Sequence, residues 1–504
     1  MIFLVLLGLG LFLAIVWWYI DYYRHFKGVF NIPRPGWMFP IFGHVFLAKN
    51  ATDAYWVLHQ LTMTVGKGKA IRGCLGYFYG INIADPAILE RLLTHTSVIN
   101  KSQLYKYAHR WLETGLLTSD HEKWRGRRKL LTPAYHFKIL EQFIDVFDKN
   151  SNILVQKLQR EVGKNKTDVF PFVTLCALDT ICETAMGTCV NAQQCADSDY
   201  VQSIKRISEI VISRGISVLK QFDFYYLFTQ DYRDETKCIE ILHGYTMSVI
   251  QSRRKELLAK QNENEKPKQI EENLGYKAKI PFLDILLQAT FNGEPLTDED
   301  IREEVDTFMF EGHDTTSSAI SFTIYCLANN PHVQKKVFEE QRDIFVDNPQ
   351  RETTYQDLQE MKYLEMVIKE TLRLYPSVPL YGRTVVEDFS IDKYSFKRGT
   401  EIAFGVFSLH RNPEIYPNPE VFDPERFTLE ETVKRHPFSY LPFSAGYRNC
   451  VGQKFAMMEM KATIGMLVRK FVFQEAPDSE LKLKSGLILS SATGVNVKIT
   501  NRVW

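Results

Sequence analysis

Residues 443–452 read Phe443-Ser-Ala-Gly446-Tyr-Arg448-Asn-Cys450-Val-Gly452, and a helical run through Phe455, Met458, Ala462, Leu467 and Phe471 follows at once. Gly446 and Gly452 let the backbone turn tightly and approach a flat partner. Cys450 then stands near a helix N-terminus, where free amides and the helix dipole favour an anion. A single cysteine is most often a small buried hydrophobe. An aromatic residue, two glycines, an arginine and a cysteine at fixed spacing before a helix predict a thiolate ligand instead. Thiolate ligation suits haem iron, where it pushes electron density onto the metal and favours O–O cleavage. Arg448, just upstream, can pair with a haem propionate.

Further back, Thr297 is a good N-cap with Asp300 at the third helical position, and Leu296 can staple against Ile301. Ile301, Val305, Phe308, Met309, Ala319, Ile320 and Leu327 keep helical period until Asn329-Asn330-Pro331 stops it. A helix of about 30 residues, roughly 45 Å, crosses a whole domain. Its middle, Glu311-Gly312-His313-Asp314-Thr315-Thr316-Ser317-Ser318, gathers poor helix formers where a core helix should be apolar. Thr315 can bond the carbonyl of Glu311, and Thr316 that of Gly312, which loosens the ladder. Gly312 allows close approach of something flat. Taken alone, the stretch reads equally as a polar stripe facing another helix.

Composition narrows the field. Of 504 residues, 45% are hydrophobic and 24% charged, and Lys+Arg 61 against Asp+Glu 60 leaves a net charge of +1. That balance excludes nucleic-acid binding driven by a global basic field. A mean hydropathy of -0.20 excludes a polytopic membrane protein, and 13% aromatic content excludes general disorder. Eight cysteines without a Cys-x-x-Cys pair form neither a disulfide scaffold nor a zinc site.

At the amino terminus Ile2–Ile20 carries no charge and, as a helix, spans roughly 28 Å, close to a bilayer core of about 30 Å. Trp17, Trp18 and Tyr19 suit a headgroup interface, and Arg24, Lys27 and Arg34 against Asp21 leave the body in the cytosol. A cleaved signal peptide would want a basic start and a small-residue cleavage site. Residues 1–20 are therefore expected to be an uncleaved anchor, with a removed leader or a buried core helix as the alternatives. Residues 21–49, with Asn31-Ile-Pro33-Arg-Pro35-Gly36 and Pro40, form a proline-rich hinge, and residues 50–504 one body. The acceptor tripeptides Asn50-Ala51-Thr52 and Asn165-Lys166-Thr167 would stay bare in the cytosol. The body reads as mainly α with a minor β region. A strand is expected near Gly76–Ile83, a surface loop over 260–279, a helix from Phe282, and a hairpin over Ile391–Phe404 around Gly399.

The cysteine-loop spacing resembles that of the cytochrome P450 superfamily, and the resemblance runs the length of the chain. Glu370-Thr-Leu-Arg373 is similar to the superfamily's Glu-x-x-Arg, with Arg426 of Pro424-Glu-Arg426-Phe427 as third partner. Glu122/Arg125, Glu299/Arg302 and Glu339/Arg342 share that spacing, so its place before Cys450 carries the weight. Trp124 and Arg128 resemble the helix that holds a propionate, although Arg125-Gly-Arg127-Arg128-Lys129 reads equally as a basic surface. Arg383 falls where another propionate arginine is expected. Glu311-Gly-His-Asp314-Thr315 matches the oxygen-side motif with glutamate for a small residue, and Glu304–Thr316 looks like the signature of family four.

The resemblance implies a cytochrome P450 fold, with haem b (iron-protoporphyrin IX) between the long helix and the cysteine loop. Cys450 would ligate iron, Phe443, Gly446 and Gly452 would shape its loop, and Trp124, Arg128, Arg383 and Arg448 would hold propionates. Glu370, Arg373 and Arg426 would form a buried structural network. Thr315 would bond dioxygen or its water and Asp314 would pass protons, unless Asp314 sits in an ion pair. Glu311 is expected to esterify a haem methyl; the competing form is a free, protonated acid.

The implied activity is NADPH-driven hydroxylation of fatty acids or related lipids at or near the terminal carbon. Insect-type members also oxidise hormones, pheromone precursors and foreign compounds. Electrons would come from NADPH-cytochrome P450 reductase, with cytochrome b5 as a further partner, on the endoplasmic reticulum membrane, since no dinucleotide fingerprint follows a strand. Lys434, Arg435, Lys454, Lys461 and the 125–129 cluster would form the dock, or simply a solvated rim. Recognition of a lipophilic substrate is expected from segments 100–118, 203–230, Val378–Tyr381 and Leu487–Ser491, which offer apolar side chains. Two other readings stand beside this: a haem-thiolate isomerase, against which Asp314 and Thr315 argue, and a non-catalytic haem or lipid binder.

Overall fold

The computed structural model describes residues 1–47, 53–194, 199–262, 281–291 and 293–504. The Asn50 tripeptide lies outside these residues, as does the expected surface loop from residue 263 onward. The amino-terminal helix α1 (Ile2–Phe26) is followed in the body by α2 (His121–Leu131), α3 (Ile144–Gln159), α4 (Phe170–Ile181) and α5 (Asp199–Ile216). Then come α6 (Gln230–Asn262), α7 (Asp298–Asn329), α8 (Lys362–Leu374) and α9 (Gln453–Lys470).

Helix α7 is the axle of the body, packing against α4, α6, α8 and α9. Its ends are set by sequence. Thr297 Oγ1 accepts the Asp300 amide at 3.1 Å while the Asp300 carboxylate accepts the Thr297 amide at 3.2 Å, closing a capping box. At the other end Asn330 leaves helical geometry and Pro331 opens the next helix. In the middle, the Thr315 hydroxyl donates to the Glu311 carbonyl at 2.7 Å and that of Thr316 to Gly312 at 2.9 Å. The bare face of Gly312 is taken by Ile181: a Cβ there would meet the Ile181 side chain at 2.6 Å. The close approach expected for a flat partner is thus made by a neighbouring helix, α4.

The main sheet contains β1 (Ala70–Leu75), β2 (Phe78–Ile83), β3 (Asn100–Lys101) and β4 (Tyr381–Thr384). The segment expected to be one hairpin divides in two. β5 (Phe389–Ile391) and β6 (Tyr394–Phe396) pair around Asp392, whereas β7 (Glu401–Phe404) joins the main sheet, in the order β1-β2-β7-β4-β3. Gly399, at φ +84°, makes the turn between them. Near the carboxyl terminus lie β8 (Phe471–Glu475), a small hairpin of β9 (Leu483–Lys484) and β10 (Ser490–Ser491), and β11 (Asn496–Asn501). Thr167, from the second acceptor tripeptide, is buried in a strand beside Val497.

Only the first part of α1 stands clear of the body. Trp18, Tyr22 and Phe26 are buried against β1 and β2, and Trp18 Nε1 donates to the Gly76 carbonyl at 3.2 Å. Arg72 donates to the Tyr22 hydroxyl and covers the Phe30 ring at 4.8 Å. Of the three aromatics expected at a headgroup interface, Trp17 and Tyr19 are exposed, but Trp18 is a core residue because its indole finds both an apolar slot and a carbonyl.

Candidate functional site

The cysteine loop hangs between the main-sheet region and the start of α9. Gly446 has φ +70°, and a Cβ there would strike the Leu93 carbonyl, so the turn needs glycine twice over. The Cys450 amide donates to the Phe443 carbonyl at 2.9 Å, which closes the loop on itself. Gly452 has an ordinary φ of -87° and serves as the N-cap of α9; its amide faces the Cys450 sulfur. The sulfur is accessible, yet ringed by protein. That enclosure pushes the thiol up to about 12, with Glu311 adding to the rise and the Gly452 amide and Arg128 opposing it. The helix start expected to favour the anion is therefore outweighed by desolvation, and a bound cation is what makes a thiolate here.

Four cations converge on the same region. Trp124 and Arg128 lie one helical turn apart on α2. Arg128 reaches the loop itself, donating to the Asn449 carbonyl at 2.7 Å and its side-chain oxygen at 2.8 Å. Arg448 lies 4.8 Å over the Trp124 ring and donates to the Ser119 carbonyl, but its Nε and Nη1 have no hydrogen-bond partner among the described residues although the residue is buried. Arg383 on β4 is directly opposite Lys101 on β3. Two like charges across a ladder repel. Crowding shows in their protonation: burial first, then Arg383 and Arg448, hold Lys101 well below the usual lysine range, while burial and Arg383 push Arg448 down to about 9. None of the four has a carboxylate ion-pair partner among the described residues. Arg383 and Arg448 are buried and Lys101 and Arg128 half-buried; cations withdrawn from water need anions, and the two propionates of a planar tetrapyrrole beside Cys450 fit this set.

Lys101 was hidden from sequence reasoning. Its strand is two residues long and shows no periodicity, and only the pairing with Arg383 reveals its place. The basic run on α2 resolves into separate roles: Arg125 and Lys129 are exposed, Arg128 faces the site, and buried Arg127 pairs with Asp300 of α7. Lys461 is buried, bound to Glu365 at 2.6 Å and to the Leu358 carbonyl at 2.9 Å, so it leaves the expected dock. Lys434 is exposed and paired with Glu431, and Arg435 is turned onto the Tyr416 and Phe427 rings. Lys454 remains exposed.

On the opposite side, α7 presents Glu311, Asp314 and Thr315. Glu311 has its carboxyl raised by desolvation, with Lys101 and Arg128 drawing it back down. Asp314 makes no ion pair among the described residues, and enclosure alone lifts it to about 7. His313 is fully buried and held down to about 4, its Nδ1–H donating to the Met309 carbonyl at 2.5 Å. Behind this layer Arg373 grips Glu370 through two bonds of 2.7 and 2.8 Å, both residues fully buried. Arg426 approaches Glu370 at 3.6 Å, and the Asp423 amide donates to Glu370 at 2.8 Å.

A cysteine at the head of a helix, buried and half-buried cations around it that make no carboxylate ion pair among the described residues, and a hydroxyl- and acid-bearing long helix opposite define a haem-thiolate oxygenase site. The chain belongs to the cytochrome P450 family, whose model matches residues 33–498. It is 46% identical over 423 residues to cytochrome P450 4c3 of Drosophila melanogaster, an alignment covering 83% of this chain and 79% of the relative. It is 41% identical over 500 residues to cytochrome P450 4V2 of Homo sapiens, covering 99% and 95%, and 40% identical to cytochrome P450 4d2 of Drosophila melanogaster, covering 97% of each. The protein is a haem-thiolate monooxygenase of family-four kinship, which does not favour the isomerase or non-catalytic readings. Its family carries haem on a cysteine thiolate and uses a reductase and lipophilic substrates.

Proposed function

We propose that this monooxygenase is anchored in the endoplasmic reticulum membrane by residues 1–20, with residues 21–49 joining the anchor to a cytosolic body of residues 50–504, and hydroxylates long-chain lipids at or near the terminal carbon. The observation that carries the substrate class is the contrast between the two sides of the site. Polar groups of the site lie on α7 and in the cation set, while the recognition segments contribute Leu104, Leu116, Leu117, Val378, Leu487 and Leu489 to the body's main apolar core or its packed margin, which also holds Phe310. An apolar chain is the ligand such walls accept. Membrane seating is supported by exposed Phe222, Phe224 and Phe228, whose neighbour Tyr77 touches both Phe222 and Trp17, at 5.3 and 6.0 Å.

The haem, when bound, supplies oxygen activation and the oxidant. In this reading Cys450 ligates it, Phe443, Gly446 and Gly452 shape the loop, and Trp124, Arg128, Arg383, Arg448 and Lys101 hold its carboxylates. Glu370, Arg373 and Arg426 keep the core beneath the loop rigid. Asp314, poised near neutrality, takes up and releases protons at its carboxyl oxygen, and Thr315 passes them on at its hydroxyl once that hydroxyl leaves the Glu311 carbonyl. Glu311, drawn toward Lys101 and Arg128, would be joined to a haem methyl as an ester, that carbon losing a proton and two electrons to the oxidant formed from dioxygen and NADPH-derived electrons during turnover. Arg125, Lys129 and Lys454 are the exposed cations left to receive an acidic reductase.

A panel of fatty acids of graded length, with NADPH and reductase and product positions assigned by mass spectrometry, tests the substrate class; absence of NADPH-dependent product on every chain would refute it. Denaturing extraction should leave haem on the wild type and free it from Glu311→Ala.

A further inference from the structure

Ser377 lies between Pro376 and Pro379, in the stretch that leads from α8 to β4. The two prolines fix the backbone and withhold amide donors. What the segment offers inward is the serine hydroxyl, which donates to the carbonyl of Thr315 at 2.8 Å. The carbonyl of Ser377 in turn accepts the Leu489 amide at 2.9 Å, and the Leu489 carbonyl accepts the Ser318 hydroxyl at 2.7 Å. The path returns to α7 one turn from where it began. Ser318 and Leu489 are fully enclosed and Ser377 is 7% exposed, so water does not compete for these bonds.

The closed triangle joins three segments distant in sequence: the oxygen-side helix, the Val378–Tyr381 wall and the Leu487–Ser491 wall. Its third corner is braced from outside. The Tyr55 hydroxyl donates to the Gly486 carbonyl at 2.6 Å, and Lys484 of β9 pairs with Glu209 of α5 at 2.6 Å. A substrate pressing on α5 or on the β9–β10 hairpin therefore acts on Leu489, and through it on the carbonyl of Thr315.

We propose that Ser377 is a positioning residue: by tying both apolar walls to Thr315 it sets which carbon of the substrate is presented to the reaction. This rests on the lipid-hydroxylase reading. A hydroxyl is required and bulk is secondary, so threonine should replace serine and alanine should not.

The test compares Ser377→Ala, Ser377→Thr and Ser318→Ala with wild type in the holoenzyme, using a saturated fatty acid that the wild type hydroxylates at a defined position. Losing one buried hydrogen bond of ordinary strength should change the ratio of terminal to inner products by about two- to ten-fold in Ser377→Ala. Product formed per NADPH should fall with it, KM should change little, and the carbon monoxide difference band should keep its amplitude. Ser318→Ala should shift the product ratio in the same direction, and Ser377→Thr should restore it. Amide hydrogen exchange in the peptide spanning 486–491 should quicken in both alanine variants without substrate present. An unchanged product ratio in Ser377→Ala, from a wild type that does hydroxylate, overturns the proposal while leaving the lipid reading intact. A wild type inert to every chain length overturns both.

Discussion

Among the described residues Asp314 has no ion pair, and enclosure by protein is the cause of its rise from 3.8 to about 7. The folded state therefore prefers the neutral acid. Its contribution to stability is complete below pH 3.8 and is lost as pH climbs through about 7. Asp314→Asn, neutral throughout, should unfold at a higher temperature than wild type at pH 8, with the gap closing toward pH 4; thermal melts across that range check it. The same substitution should lower turnover by about 10²-fold or more, with NADPH diverted to peroxide, because the amide cannot relay a proton. Lys101 is likewise a charge whose removal favours folding and harms function. In a Glu311→Ala background, Lys101→Ala should bind haem about ten-fold more weakly, by titration of the haem-free protein, since a charge-assisted bond is gone. Yet the haem-free variant should resist denaturant better than its parent, because Arg383 and Arg448 lose a like-charged neighbour.

At the scale of elements, the cysteine loop and the α8 network were legible in sequence because their chemistry is local. Gly446, Arg448 and Cys450 act within one turn of chain, and Glu370 with Arg373 within one turn of helix. Gly446→Ala should cost about 1–3 kcal/mol or more and abolish the carbon monoxide band, as both its φ and the Leu93 carbonyl reject a side chain. Glu370→Ala, leaving Arg373 buried and uncompensated, should cost about 3–5 kcal/mol in urea unfolding, and Glu370→Gln distinctly less. What sequence did not disclose depends on pairing between distant segments. Gly312 was read for a flat partner, yet Ile181 of α4 fills its side. The 391–404 segment alternates throughout, but nothing local says that β7 leaves β5 and β6 for the main sheet. Lys461 looks like surface in a helical pattern until Glu365 on α8 is seen to hold it inside.

For the whole molecule, the inner end of α1 and the body pack together through Trp18, Tyr22 and Phe26. Removing residues 1–16 should abolish sedimentation with phospholipid vesicles more than it affects the melting temperature, because the deleted stretch is largely exposed. Removing residues 1–27 should lower the melting temperature by at least several degrees, since Trp18, Tyr22 and Phe26 leave β1 and β2 uncovered. Hydropathy marks the apolar run but does not distinguish an aromatic facing lipid from one facing protein, so Trp18 was expected at a headgroup interface and lies in the core. Helix α1 continues without a break to Phe26, so residues 21–26 of the expected hinge segment are helical. That continuity has a consequence. Under the membrane-anchored reading, a rod seated on the sheet at Trp18 and Tyr22 would not swivel freely, so in a thicker bilayer, where the helix stands more upright, the catalytic body would tip with it and raise or lower the rim nearest the lipid like a hull heeling on its keel.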